Sequence, residues 1–318
     1  MTRVVVAGGS GLIGRALVAS LIADGVEVDV LSRDPRRRAK RTPAGARATR
    51  WDPADPPDID PLAQALAGAD AVVNVTGAPV GPGPWTPGRK RAIVASRVGT
   101  TAALVAAVER LPPGDRPGVL VNASGTDVYT GLDATPATES DEVGSTPGFL
   151  ARLGRDWEAA AFRAEDLGVR VVAVRTSFVL AANSPLLRLF ALPTRLFVGG
   201  PIGGGRQWFS WIHIDDLVRV YRLAIEDEAL SGVVNAAAPG AVRQADLARA
   251  MGRVLRRPSI FPVPAWPLRL VLREQATLVL GSRRVAPARL QALGFRFAYP
   301  EIDAALGQAL GPTRAAAR

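Results

Sequence analysis

The sequence predicts an α/β fold, a doubly wound parallel sheet carrying a smaller C-terminal α/β lobe. Three observations predict it. Short β-branched runs alternate with helical segments over the first 176 residues, a glycine-rich turn joins the first strand to the first helix, and after Arg175 the apolar pieces shorten and Gly/Pro clusters appear. The expected division is 1–176 for the sheet domain, with 203–239 returning to it, and 177–202 plus 240–318 for the lobe.

The run Val4 to Ala7 has the length of a buried parallel strand, and Leu12, Ile13, Ala16, Leu17 and Leu21 recur behind it at helical spacing. Between them stand Gly8, Gly9, Gly11 and Gly14, with Ser10. Glycines at these positions allow a sharp turn, close approach of backbone to a pyrophosphate, and tight packing of helix on strand. The turn therefore reads as a Rossmann-type dinucleotide site, with Gly8, Ser10, Gly11, Leu12, Ile13 and Gly14 around the phosphates at the helix N-terminus.

The second strand, Glu27 to Leu31, ends in Ser32-Arg33. An arginine at that point accommodates a 2′-phosphate, so NADP is favoured, while Asp34 keeps NAD open. A short strand, 46–50, leads to Asp52, expected at the adenine edge. The strand 69–75 ends in Asn74-Val75-Thr76-Gly77, where an open sheet receives its ligand. A Gly/Pro loop around Trp85 is long enough to cover a site, and a helix over about 88–110 carries Ser96-Arg97. The strand 119–123 delivers Ser124, Thr126, Asp127 and Tyr129, and a helical segment over 149–167 precedes the strand 169–174. Beyond it, Gln207 to His213 reads as an extended aromatic stretch and Asp215-Asp216 as the cap of a helix over 217–226. Helices are expected over 245–256, 266–280 and 287–293, with short strands at 259–263 and 295–298.

Composition narrows the chemistry. With no cysteine and the single histidine His213, thiolate and histidine-cluster metal sites are excluded, and no metal is expected; His213 itself reads as a buried, hydrogen-bonded residue. The net charge of +10 is almost entirely arginine and scattered, save for Arg36-Arg37-Arg38-Ala39-Lys40-Arg41, which reads as a solvated face; no nucleic-acid motif accompanies it. No signal peptide and no uninterrupted apolar stretch of membrane-spanning length is seen, so the expectation is a cytoplasmic protein without a membrane, monomer or homodimer, acting on a small molecule.

Taken together, Gly8 to Gly14, Ser32-Arg33, Trp51-Asp52-Pro53, Asn74 to Gly77, Trp85, Ser96-Arg97, Ala123-Ser124, Asp156-Trp157-Glu158, Arg175-Thr176, Gly205 to His213, and Pro287 with 290–295 resemble the extended short-chain dehydrogenase/reductases, in the branch called "epimerase family protein" with a C-terminal domain of unknown function. The resemblance implies hydride transfer with NADP, Arg97 and Arg175 joining the cofactor site, and Trp85, Arg206, Gln207 and Trp208 meeting a substrate, an anionic one if Arg206 grips it. The wider family uses a serine, a tyrosine and a lysine four residues later, the cation lowering the phenol's pKa. Here Ser124 holds the serine position, but Leu150 and Gly154 stand where tyrosine and lysine belong. Thr126, Asp127 and Tyr129 are the replacement candidates beside Ser124. Two functions follow: an NADP-dependent oxidoreductase or epimerase of unspecified substrate, or a catalytically silent NADP(H)-binding sensor or scaffold.

Overall fold

Strand β1 (Arg3–Ala7) buries both faces: Val4 and Val6 join one apolar cluster, Val5 and Ala7 another. A strand with no polar face belongs inside a sheet covered on both sides by helices. The computed structural model describes residues 2–35, 41–53, 59–81, 83–129, 135–143 and 148–311, so the basic run 36–40 lies outside the described residues.

β1 leads through the glycine turn into α1 (Leu12–Ala23). β2 (Glu27–Ser32), β3 (Arg47–Arg50), α2 (Ile59–Leu66), β4 (Ala71–Asn74) and α3 (Pro87–Glu109) follow. Then come β5 (Val119–Gly125), α4 (Phe149–Phe162), β6 (Arg170–Thr176), β7 (Phe178–Leu180), α5 (Pro185–Arg195), β8 (Trp208–Phe209), β9 (Trp211–His213), α6 (Ile214–Glu226) and β10 (Gly232–Ala236). The chain ends through β11 (Val242–Arg243), α7 (Gln244–Leu255), α8 (Ala265–Leu272), α9 (Thr277–Leu280), α10 (Ala288–Ala292) and α11 (Ile302–Leu310).

Seven strands form one parallel sheet in the order β10-β6-β5-β4-β1-β2-β3. The order reverses between β1 and β4, and the loops leaving those two strands border the crevice where such sheets take their ligand. β10 reaches the outer edge after the chain has left the domain and returned. α1 and α6 cover one face through Leu17, Leu21, Leu217 and Tyr221; α2 and α3 cover the other through Leu62, Leu66, Leu104 and Val108. Among the described residues α3 is the one helix long and apolar enough to cross a bilayer, yet Ile93, Leu104, Val105 and Val108 along it are buried in the protein.

A separate apolar cluster of Leu187, Trp211, Leu247, Met251, Ile302 and Leu306 holds the lobe together. Leu290, Phe295 and Phe297 pack instead on the sheet's α1/α6 face.

Three local expectations are corrected. The cap of α6 is His213, whose Nδ1 accepts from the amide of Asp215 at 3.2 Å, while the buried carboxylate of Asp216 accepts from the amides of Ala298 (2.7 Å) and Tyr299 (2.9 Å). The second and third concern the chain after 259. The segment 295–298 is therefore tied by a side chain rather than paired as a strand. The helix foreseen over 266–280 breaks at Arg273, whose φ of 50° lies in the left-handed region that interrupts a right-handed helix.

Candidate functional site

The turn after β1 leaves no room for a side chain at Gly8 or Gly14. A Cβ on Gly8, whose φ is +89°, would stand 2.8 Å from the carbonyl carbon of Val75, and one on Gly14 would stand 2.7 Å from Gly9 Cα. β1, the β4 loop and α1 therefore approach to backbone distance. Gly11 starts α1 with no side-chain cap, leaving the helix N-terminus with free N–H groups and its partial positive charge. At the end of β2, Ser32 is buried and its Oγ has no hydrogen-bond partner among the described residues, and Arg33 beside it is exposed. Asp52 is exposed at the end of the neighbouring strand. These features fit a dinucleotide with its pyrophosphate at the glycine turn.

The β4 loop is set by Asn74, whose carboxamide donates to Thr101 Oγ1 and Asn122 Oδ1 (both 2.8 Å) and accepts from Thr76 Oγ1 at 2.6 Å. Asn74 thus shapes the loop from behind rather than facing a ligand. A π-helical turn at Ala95–Gly99 interrupts α3, and turns of this kind cluster at functional sites. It presents Ser96, which accepts from the Ala78 amide, and Arg97, which donates to the Ala78 carbonyl at 3.0 Å and lies over Trp157 at 5.2 Å. Among the described residues Arg97 makes no ion pair with a carboxylate. Burial pushes its guanidinium down to about 10, with Asp127 pulling it back up.

A cavity of about 270 Å³ opens at this point. Ile13, Thr76, Gly77 and Arg97 line the side toward the glycine turn; Ser124, Gly125 and Asp127 line it from β5, and Leu150, Leu153, Gly154 and Trp157 from α4. Ser124 donates to Glu158 Oε1 at 2.6 Å, and Arg175 grips the same carboxylate with two hydrogen bonds of 2.8 Å. All three are buried. Burial alone would lower the Arg175 pKa, but Glu158 raises it above the ordinary guanidinium value.

This network relocates two expected site residues. Arg175 is engaged by Glu158 and by the Tyr129 hydroxyl (2.6 Å), and it does not line the cavity. Tyr129 is buried in a cluster with Val128, Ala137, Ala237 and Val285; its hydroxyl donates to Asn235 at 3.0 Å, and burial holds its pKa up despite Arg175. It does not line the cavity, and neither does buried Thr126. Asp127 does, and at 2.6 Å it pairs with Arg283 from the C-terminal lobe.

The expected substrate residues lie outside this cavity. Trp85 donates to the Val80 carbonyl at 2.8 Å and sets its ring edge on Phe149. Gln207 is tied to the carbonyls of Ile202 and Val279, Trp208 lies under Arg243 and Arg284, and Arg206 is exposed; none of the four lines the cavity. Sequence reasoning missed Glu158 and Arg283 as site residues, although the Asp156-Trp157-Glu158 match had singled out the first.

Gly154 explains the missing lysine. It lies in α4 facing Val128, and a Cβ there would overlap Val128 Cγ1. α4 therefore lies against the turn after β5 at this position, and the first carbon of a lysine side chain would meet Val128.

Comparison with known proteins agrees with this geometry. Residues 4–237 match the model of the NAD dependent epimerase/dehydratase family, and 263–309 match a domain of unknown function, DUF1731. The chain is 35% identical over 95% of its length, and 84% of the relative's, to the Arabidopsis thaliana "Epimerase family protein SDR39U1 homolog, chloroplastic". The crystal structure of human epimerase family protein SDR39U1 with NADPH superposes with a TM-score of 0.85 at 33% identity, covering 97% of this chain and 99% of that one. A Corynebacterium glutamicum nucleoside-diphosphate sugar epimerase gives 0.74 at 34% identity, over 98% of this chain and 58% of that one. The chain belongs to the NAD dependent epimerase/dehydratase family, among the epimerase family proteins that carry the C-terminal DUF1731 domain.

Proposed function

We propose that this chain is an NADP-dependent oxidoreductase or epimerase acting on a small, anionic, hydroxyl-bearing substrate, with Ser124 holding the reacting oxygen. The observation that carries the reading is the position of Ser124: it lines the same cavity as Ile13, Thr76 and Gly77, with its hydroxyl hydrogen directed to Glu158. The NADPH in the human relative's structure supports the cofactor assignment. When bound, the cofactor supplies the hydride donor or acceptor.

The chain's residues divide the remaining work. Backbone N–H groups at Gly11 to Ile13 and the N-terminus of α1 hold the pyrophosphate; Ser32 Oγ and Arg33 hold the 2′-phosphate. Arg97, cationic, half-buried and without a carboxylate partner among the described residues, attracts the substrate's anionic group. Because Glu158 takes the Ser124 hydrogen, the serine's lone pairs are left to accept from a substrate hydroxyl, orienting an alcohol. Asp127, the carboxylate lining the cavity, exchanges the proton with solvent, held in place by Arg283. The buried pair of Tyr129 and Arg175 acts behind this layer.

The test is NADPH oxidation against a panel of carbonyl compounds carrying a carboxylate or phosphate. The reading expects turnover that falls by about 100-fold in Ser124→Ala, the scale of a misplaced reacting group. The silent-sensor reading, motivated by Leu150 and Gly154 in the tyrosine and lysine positions, expects NADPH binding with no turnover on any member of the panel.

A further inference from the structure

We propose that one face of the C-terminal lobe docks on an anionic phospholipid surface. The sequence pattern is unusual for a solvated face. Residues 176–214 contain Arg188, Arg195 and Arg206, and residues 247–273 contain Arg249, Arg253, Arg256, Arg257, Arg269 and Arg273, with no Asp or Glu in either stretch.

The fold lays the two stretches side by side. The Phe261 amide donates to the Gly199 carbonyl at 3.0 Å, the Val263 amide donates to Pro201 at 2.8 Å, and the Arg257 guanidinium lies 4.5 Å over the Phe197 ring. Apolar side chains stand outward along this seam: Phe197, Val198, Ile260 and Phe261 are all at least half exposed. Next to Ile260, a shallow depression of about 480 Å³ is lined by Arg249, Arg253, Arg256 and Arg257. Arg249 and Arg253 pair with Asp246 and Asp303 at its border, whereas Arg256 and Arg257 pair with no carboxylate among the described residues.

α8 follows this seam directly in the chain, starting two residues after Val263. It buries none of its eight residues, and Trp266, Leu270 and Val271 are 69%, 72% and 77% exposed. Ala265, Pro267, Leu268 and Leu272 are partly buried, so the helix rests on the lobe by one side and turns Trp266, Leu270 and Val271 outward on the other. Apolar side chains flanked by arginines, with a tryptophan among them, match the boundary between acyl chains and anionic headgroups. Charge complementarity favours an anionic surface over a second copy: the border carboxylates Asp246 and Asp303 are already paired with Arg249 and Arg253, and a two-fold contact would bring the Arg256 and Arg257 of both copies together.

The test is co-sedimentation of the full chain with vesicles of phosphatidylcholine alone and of phosphatidylcholine with about one-third phosphatidylglycerol. Binding to the anionic vesicles should be at least about tenfold stronger and should fade at about 1 M salt. The double variant R256E/R257E and, separately, W266S/L270E should each lose about tenfold or more, with NADPH affinity unchanged as the sign that they fold. Equal or no binding to the two vesicle types overturns the proposal. So does release of the protein by inorganic phosphate matched to the lipid phosphorus, which would reduce the face to an anion pocket, or a lipid-free dimer that L270E dissolves. Capture by an acidic protein with no vesicle binding overturns it as well.

Discussion

If Gly154 is glycine because α4 packs onto Val128, then Gly154→Ala should destabilise the protein, against the usual effect of that exchange. In a helix interior, Gly→Ala gains about 1 kcal/mol. Here the added methyl would overlap Cγ1 of Val128, a residue with no exposed surface that sits in a tight turn directly after β5. Overpacking a site of this kind costs about 1–3 kcal/mol, so the net effect is a loss of up to about 2 kcal/mol. The assay is a double-mutant cycle in urea. Val128→Ala removes the obstructing methyl, and in that background Gly154→Ala should stabilise by about 1 kcal/mol, a coupling of about 1–3 kcal/mol between the two positions. Additive effects, or a stabilising Gly154→Ala in the otherwise unchanged protein, would refute the packing argument. The same argument predicts that Leu150→Tyr with Gly154→Lys restores no acid–base pair unless residue 128 is made smaller.

Three more outcomes follow from the buried and paired groups. Arg175→Met leaves the Glu158 carboxylate buried with Ser124 as its one partner among the described residues and should cost about 3–5 kcal/mol in chemical denaturation; a change within about 1 kcal/mol contradicts the role assigned to the pair. Asp29, under Arg3 and Arg47, has its pKa lowered below 3.8: burial raises it, but the two arginines outweigh burial. A carboxyl depressed on folding stabilises above its unfolded pKa, and that contribution disappears as pH falls through the folded value, so Asp29→Asn should flatten the loss of stability below about pH 4; unchanged acid unfolding contradicts it. Asp127→Asn should lower turnover while leaving NADPH affinity within about twofold if the residue exchanges the substrate proton as proposed; a parallel loss of both would place it in the cofactor site.

Much of the fold was legible because its signals are local. The glycine turn, the strand–helix alternation and the ligand loop after β4 each lie within a few residues of sequence, and the structure keeps them close to the expected bounds. What escaped depends on residues far apart in the chain. Ser124 meets Glu158 across 34 positions, Tyr129 meets Asn235 across 106, and Asp127 meets Arg283 only because the lobe folds back over the sheet. Tyr129 had looked like a proton donor from its place after a strand; the direction of its ring is decided by the apolar residues of the returning chain, Ala237 and Val285. Gln207 and Trp208 carried a specific aromatic pattern, and that pattern serves the lobe's own hydrogen bonds and arginine stacking.

The central claim is that a phosphorylated dinucleotide lies at the junction of β1 and α1 with its extra phosphate near Ser32 and Arg33. Titration of the purified chain with NADPH and NADH, read by protein fluorescence, tests it most directly. The account predicts NADPH binding at least about tenfold tighter than NADH, from one charge-assisted phosphate contact of about 1.5–3 kcal/mol, and a loss of that preference in Arg33→Asp. No measurable affinity for either dinucleotide would contradict it.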